Sequence, residues 1–160
     1  MGNKLKKTIA ALTTIATVFT MTGIVLLAPI SVGAAVTIVE GDVVRNPNAE
    51  GMAQFDAYIV KLVGEKMFKR LILSPHVFES YGHLEWENIK DVDQATMDMY
   101  TTSELVRADG DTKVYKLVAD GDTGTKEWLD MTAAEFDDAY DSDSIYVINS
   151  TDINAYALGG

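Results

Sequence analysis

Four apolar or aromatic positions recur in one register: Ile89, Val92, Met97 and Tyr100 return as Ile145, Ile148, Ile153 and Tyr156, each displaced by 56 residues. Self-similarity of this kind marks a packing unit used more than once, because a unit too small to bury its own apolar face gains by stacking on a neighbour. Upstream, Tyr58 to Ile72 and Tyr115 to Leu129 are both 14 residues apart, Lys69 is matched by Lys126 and Leu71 by Trp128, and Val43-Val44-Arg45 resembles Leu105-Val106-Arg107. The spacing predicts two tandem repeats, 41–102 and 103–157. Units of about 55 to 60 residues sit near the lower limit for an independent core, so one is expected to pack on the other. Repetition also suits a scaffold or a binding array better than a single catalytic centre.

Local signals fill in each repeat. Val36-Thr37-Ile38-Val39 is β-prone, Val43-Val44 is a second short run, and 46–51 (Asn-Pro-Asn-Ala-Glu-Gly) is a loop by composition. Tyr58 to Val63 and Phe68 to Leu73, separated by Gly64-Glu65-Lys66, predict a hairpin. Ser74-Pro75 predicts an N-cap with proline at the first helical position, on a helix carrying Val77 and Phe78 and stopped by Gly82. Ile89 to Val92 is read as a strand, Asp93 as a cap, and Ala95 to Tyr100 as a second helix. In the second repeat the strands are expected at Leu105 to Arg107, Val114 to Val118 and Glu127 to Leu129, with turns at 108–111 and 120–124. Thr132 and Glu135 spell a capping box ahead of a helix with Phe136; Ile145 to Ile148 and Ser150 to Tyr156 close the unit. The expected fold is therefore α+β, each repeat a short antiparallel meander with two short helices.

Ahead of the repeats, residues 1–34 read as an export signal. Lys4, Lys6 and Lys7 precede a long apolar stretch from Ile9 to Ile30, no acidic residue occurs before Glu40, and Val32-Gly33-Ala34-Ala35 supplies small residues for cleavage after Ala34 or Ala35. The stretch approaches the roughly 20 residues that cross a bilayer, so an uncleaved anchor is the alternative. Its threonines, with Gly23 and Pro29, favour cleavage. The expected location is secreted or at the cell surface, with membrane contact only if the segment is retained. Without residues 1–34 the basic count falls from 13 to 10 against 24 acidic residues, a formal charge of −14. Nucleic acid is excluded as a partner class, since phosphate binding depends on clustered Lys and Arg. The chain has no cysteine, so neither a disulfide framework nor a lipid-bearing cysteine contributes.

Candidate site residues are few. Trp86 has no counterpart in the second repeat, where Ser142 stands, and is the aromatic most suited to ligand binding; the Tyr58/Tyr115 and Phe78/Phe136 pairs are expected to fill the core. Lys61, Lys66, Lys69 and Arg70 form the one basic patch on an acidic chain, with Lys69 and Arg70 as candidate ligand contacts and edge-strand protection as the plainer reading. Asp120, Asp122, Asp141 and Asp143 are the candidate calcium ligands, because calcium takes several carboxylate and carbonyl oxygens from a flexible loop. No run completes the EF-hand order, and Asp-Gly pairs also make ordinary turns. Calcium is thus the one cofactor weighed, against none. His76 and His83 alone do not define a zinc site. Asn149-Ser150-Thr151 has the form of a glycan acceptor. No nucleophile elbow or phosphate-cradling glycine loop is present.

The order Lys69-Arg70-Leu71-Ile72, Ser74-Pro75-His76-Val77-Phe78, Trp86-Glu87-Asn88-Ile89 and a closing Tyr100 resembles an uncharacterised short tandem repeat of secreted and cell-surface bacterial proteins. The second copy departs from it, with Met131-Thr132 in place of Ser-Pro and Ser142 in place of Trp86. The resemblance implies an extracytoplasmic accessory module, sometimes attached to wall-active or proteolytic partners, and no catalytic residues. The expected function is non-enzymatic binding or spacing at the bacterial cell surface, with a cell-envelope glycan or protein as partner. The rivals are a small secreted hydrolase, or accessory domain of a wall-active enzyme, and a membrane-tethered structural protein.

Overall fold

The computed structural model describes residues 36–159; the leader or anchor expected at 1–34 lies outside the described residues. The described chain is α+β, with two five-stranded sheets and four short helices.

The first sheet holds β1 (Val43–Arg45), β2 (Ala57–Val63), β3 (Lys66–Ile72), β4 (Lys90–Asp91) and β5 (Thr101–Thr102), in the order β4-β1-β2-β3-β5. Helix α1 (Pro75–Glu79) follows β3, and α2 (Gln94–Asp98) lies between β4 and β5. The second sheet holds β6 (Leu105–Ala108), β7 (Val114–Asp120), β8 (Thr123–Trp128), β9 (Tyr146–Ile148) and β10 (Ala157–Leu158), in the order β9-β6-β7-β8-β10. Its helices are α3 (Ala133–Ala139) and α4 (Ser150–Asn154). In each sheet the three central strands are antiparallel and the two outer strands run parallel to their neighbours. The expectation of a plain antiparallel meander is corrected by those outer strands. β5 and β10 are two residues long, too short to show an alternating pattern.

The elements form for local reasons. Ser74 accepts from the Val77 amide and Pro75 opens α1; Asp93 and Asn149 do the same for α2 and α4; Thr132 and Glu135 close a reciprocal capping box on α3. The β2–β3 and β7–β8 hairpins each turn through two residues that start with a glycine at positive φ, Gly64 at 60° and Gly121 at 59°, a conformation costly for a residue with a Cβ. The turn expected over 120–124 is therefore only Gly121-Asp122, and β7 and β8 are longer than expected. The run 36–39 is not a strand. Its chain instead turns at Gly41, held by the Asp42 carboxylate accepting from the Val39 amide at 2.6 Å.

Alternation along each strand sets the packing. On one face of the first sheet Val44 and Val60, with Tyr58, Leu62 and Met67 beside them, meet Val92, Met97 and Tyr100 from the α2 segment. On the other face Val43, Ala57, Phe68 and Ile72 meet Val77 and Phe78 of α1, and also Val106, Leu117, Tyr146, Ile148, Ile153 and Tyr156 from the second half. The two halves thus share one core. The opposite face of the second sheet is largely open: Val118, Val147, Thr125 and Glu127 are exposed there, while Leu105 at the start of β6 is buried.

Candidate functional site

Phe78 is buried at the base of α1, where the Ser74 cap and the Pro75 ring fix the helix start. A 3-10 turn at Trp86–Asn88 lays the Trp86 indole on the Phe78 ring, centroids 4.0 Å apart and planes inclined by 25°. One face of the indole is covered by phenylalanine and the residue remains 48% exposed. A large aromatic held this way is presented in one orientation at little conformational cost.

A second 3-10 turn, Gly51–Phe55, stands across from it and carries Met52 and Phe55, 77% and 66% exposed. Between the two lies a groove of about 430 Å³, floored by Phe78, Leu73 and Pro75. Its polar groups are Arg45, Asp56, Ser74 and Asp122. Asp122 comes from the β7–β8 turn, so both halves of the chain build the groove. Arg45 is already paired with Asp91 at 2.6 Å. Asp56 is half-buried, and its one side-chain hydrogen bond, donated by the Tyr58 hydroxyl, is 3.4 Å long. Burial holds the Asp56 carboxyl above the usual carboxylate range, and the Tyr58 hydroxyl only partly offsets this.

The other candidates from the sequence lie elsewhere. Arg70 does not face a ligand: its side chain is 2% exposed and pairs at 2.6 Å with Asp152 of α4, which is fully buried. Lys69 is on the other face of β3, where its ammonium donates to the carbonyls of Met97 and Tyr100 at the end of α2. Burial pulls the Lys69 ammonium below its ordinary value. Lys126 makes the corresponding contact at the end of α4, donating to the Ile153 carbonyl at 2.5 Å. Both lysines sit over a tyrosine of the neighbouring strand, Lys69 at 5.9 Å from the Tyr58 ring and Lys126 at 6.0 Å from that of Tyr115. They are helix-end caps, and cations are favourable there. Neither Lys69 nor Arg70 is brought to Trp86.

The four candidate calcium ligands are not gathered into one site. Asp141 and Asp143 both accept from the Lys66 ammonium, at 2.8 Å each, in an exposed ion cluster. Asp120 and Asp122 belong to the β7–β8 hairpin. Among the described residues no group of three or more His, Asp or Glu side chains is arranged to hold a metal ion. α1 ends at Glu79, before His83, whose ring meets Tyr81 edge-on at 6.1 Å.

A wider cleft of about 620 Å³ lies between the two halves near Lys66, Glu104, Lys116 and Asp141. Both of its lysines are already engaged, Lys66 with Asp141 and Asp143 and Lys116 with Glu104 at 3.8 Å, and its other charge, Glu65, stands exposed. The smaller groove combines exposed apolar surface with an under-partnered carboxylate, the combination typical of a ligand site. Met52 and Phe55 were missed by the sequence reading, although their spacing of three is what places two side chains on one side of a 3-10 turn.

Compared with protein-family models, with curated proteins and with solved structures, the chain matches none.

Proposed function

We propose that the chain is an extracytoplasmic, non-enzymatic binding module made of two copies of one α+β unit, 41–102 and 103–157, and that it binds at the bacterial cell surface through the Trp86 groove. Support for the two copies is positional. Strand order and sense agree between the sheets, Tyr58 faces Leu71 as Tyr115 faces Trp128, and Val60 faces Lys69 as Leu117 faces Lys126. The Ser103 amide donates to the Lys69 carbonyl as the Gly159 amide does to that of Lys126. The aromatic wall of the groove has no equivalent in the second copy, since Trp86 has Ser142 at the corresponding place. Export and a surface location rest on the leader pattern of residues 1–34, and a cell-envelope glycan or protein is the partner class.

The observation that carries the binding reading is the indole of Trp86, half exposed and fixed against Phe78 opposite Met52 and Phe55. The test is recovery of the protein on washed bacterial cell envelopes. Trp86→Ala is expected to reduce retention at least about tenfold, the loss of one well-packed aromatic contact, whereas Trp128→Ala and added chelator leave it unchanged. Retention that survives Trp86→Ala would move the site elsewhere, and retention lost with chelator would restore the calcium reading of the aspartates.

One observation favours a second reading, a small secreted hydrolase. Asp56 and Asp122 line the same groove and burial raises the Asp56 carboxyl, as a carboxylate acid requires. Turnover of an envelope glycan that Asp56→Asn abolishes would replace the binding reading by this one.

A further inference from the structure

Resting on the reading of the groove as the binding site, we infer that its occupant is a basic peptide segment: a lysine or arginine side chain crosses the free face of Trp86 and places its charge between Asp56 and Asp122, while an apolar neighbour fits between Met52 and Phe55. Three features point to this chemistry. The free indole face is a favourable seat for a cation. The carboxylates lining the groove are acceptors only, and Asp56 is served by a single 3.4 Å hydrogen bond from Tyr58, so the wall calls for a donor with positive charge. Of the groove's own donors, Arg45 is tied to Asp91 at 2.6 Å, and the Ser74 hydroxyl, whose oxygen accepts from the Val77 amide at the start of α1, carries no charge to offset the carboxylates.

Charge on the larger scale agrees. With 24 acidic residues against 10 basic ones beyond residue 34, the surface attracts a polycation and repels an anionic polymer. An amino-sugar polymer would share the cationic charge. Met52 and Phe55, 77% and 66% exposed, favour the peptide, because a polyhydroxylated ring has no aliphatic side chain to cover both. Methionine at such a rim suits an irregular peptide side chain.

The experiment uses the full chain carrying Trp128→Phe, so that Trp86 alone reports by its emission. It is titrated with an acetylated, amidated decapeptide of alternating lysine and leucine, with the same peptide carrying glutamate for lysine, and with a glucosamine hexamer. The lysine peptide is expected to shift and saturate the Trp86 emission, to bind about tenfold more weakly to the Asp56→Asn variant, and to weaken with added salt. Equal binding of the glutamate peptide, binding of the hexamer without the lysine peptide, or an unchanged affinity in Asp56→Asn would overturn the inference. If Trp86→Ala still abolishes envelope retention in that event, only the choice of occupant has failed. Retention indifferent to Trp86 would instead remove the site itself.

Discussion

Asp152→Ala is expected to lower the free energy of unfolding by about 3–5 kcal/mol, the cost of leaving a buried charge without its partner. Arg70 and Asp152 are 2.6 Å apart with almost no exposure, and the Tyr81 hydroxyl donates to the same Asp152 oxygen at 2.6 Å. Arg70 and Tyr81 belong to the first half and Asp152 to the second, so the pair sits at the joint between them. Removing the carboxylate strands a guanidinium that already has an unpartnered Nε. The pair itself contributes far less than its loss costs, because two charges had to be taken out of water to form it. The triple variant Arg70→Met, Tyr81→Phe, Asp152→Leu is therefore expected to recover most of the stability. Urea midpoints of the three proteins check this; a loss below about 1 kcal/mol for Asp152→Ala would mean that the pair is open to solvent.

Phe78→Ala carries the second large effect, a loss of about 3–5 kcal/mol as the ring is removed from a close-packed site. Phe78 is 1% exposed and joins α1 to the shared core, while its outer face supports Trp86 at 4.0 Å. The same substitution therefore removes the floor of the groove, and the Trp86 emission is expected to shift to longer wavelength in protein that is still folded. Phe136→Ala in α3 is expected to cost less, since that ring leans on Tyr140 at 5.2 Å near an exposed stretch. Paired thermal melts and emission spectra separate the two effects. Equal losses at both phenylalanines would contradict the asymmetry between the halves.

That asymmetry explains what could be read from the sequence. The caps at Ser74, Asp93 and Thr132 and the glycine turn at Gly64 are local devices, legible because their chemistry spans three or four residues. The recurring positions Val92/Ile148, Met97/Ile153 and Tyr100/Tyr156 were legible because they are core residues of the two sheets. The joint was not legible. Its residues replace one another between the halves: Ile59, Lys61, Phe68 and Arg70 line the joint, and Lys116, Val118, Thr125 and Glu127 occupy the corresponding registers on the open face of the second sheet. On the helix side Asp152 stands where Thr96 does.

A cation on a strand looks alike in sequence whether it caps a helix, as Lys69 does, or enters a buried pair, as Arg70 does. The partners are too distant to pattern: Asp152 lies 82 residues from Arg70, and Asp141 and Asp143 lie 75 and 77 from Lys66. The groove was half legible. Trp86 stood out because it breaks the repeat, whereas Met52 and Phe55 sat beyond a stretch that composition marks as loop, and Asp122 arrives from the other half of the chain.

Each half holds one tryptophan, which gives the central claim its most direct test. Urea unfolding is followed by Trp86 emission in the Trp128→Phe protein and by Trp128 emission in the Trp86→Phe protein, with backbone circular dichroism recorded for both. Two halves locked through one core and one buried ion pair unfold together, so each tryptophan is expected to report the same midpoint and slope as the backbone signal of its own protein. A tryptophan transition displaced from that backbone signal would show two independently folding pieces, and would contradict both the shared core and the groove built across it.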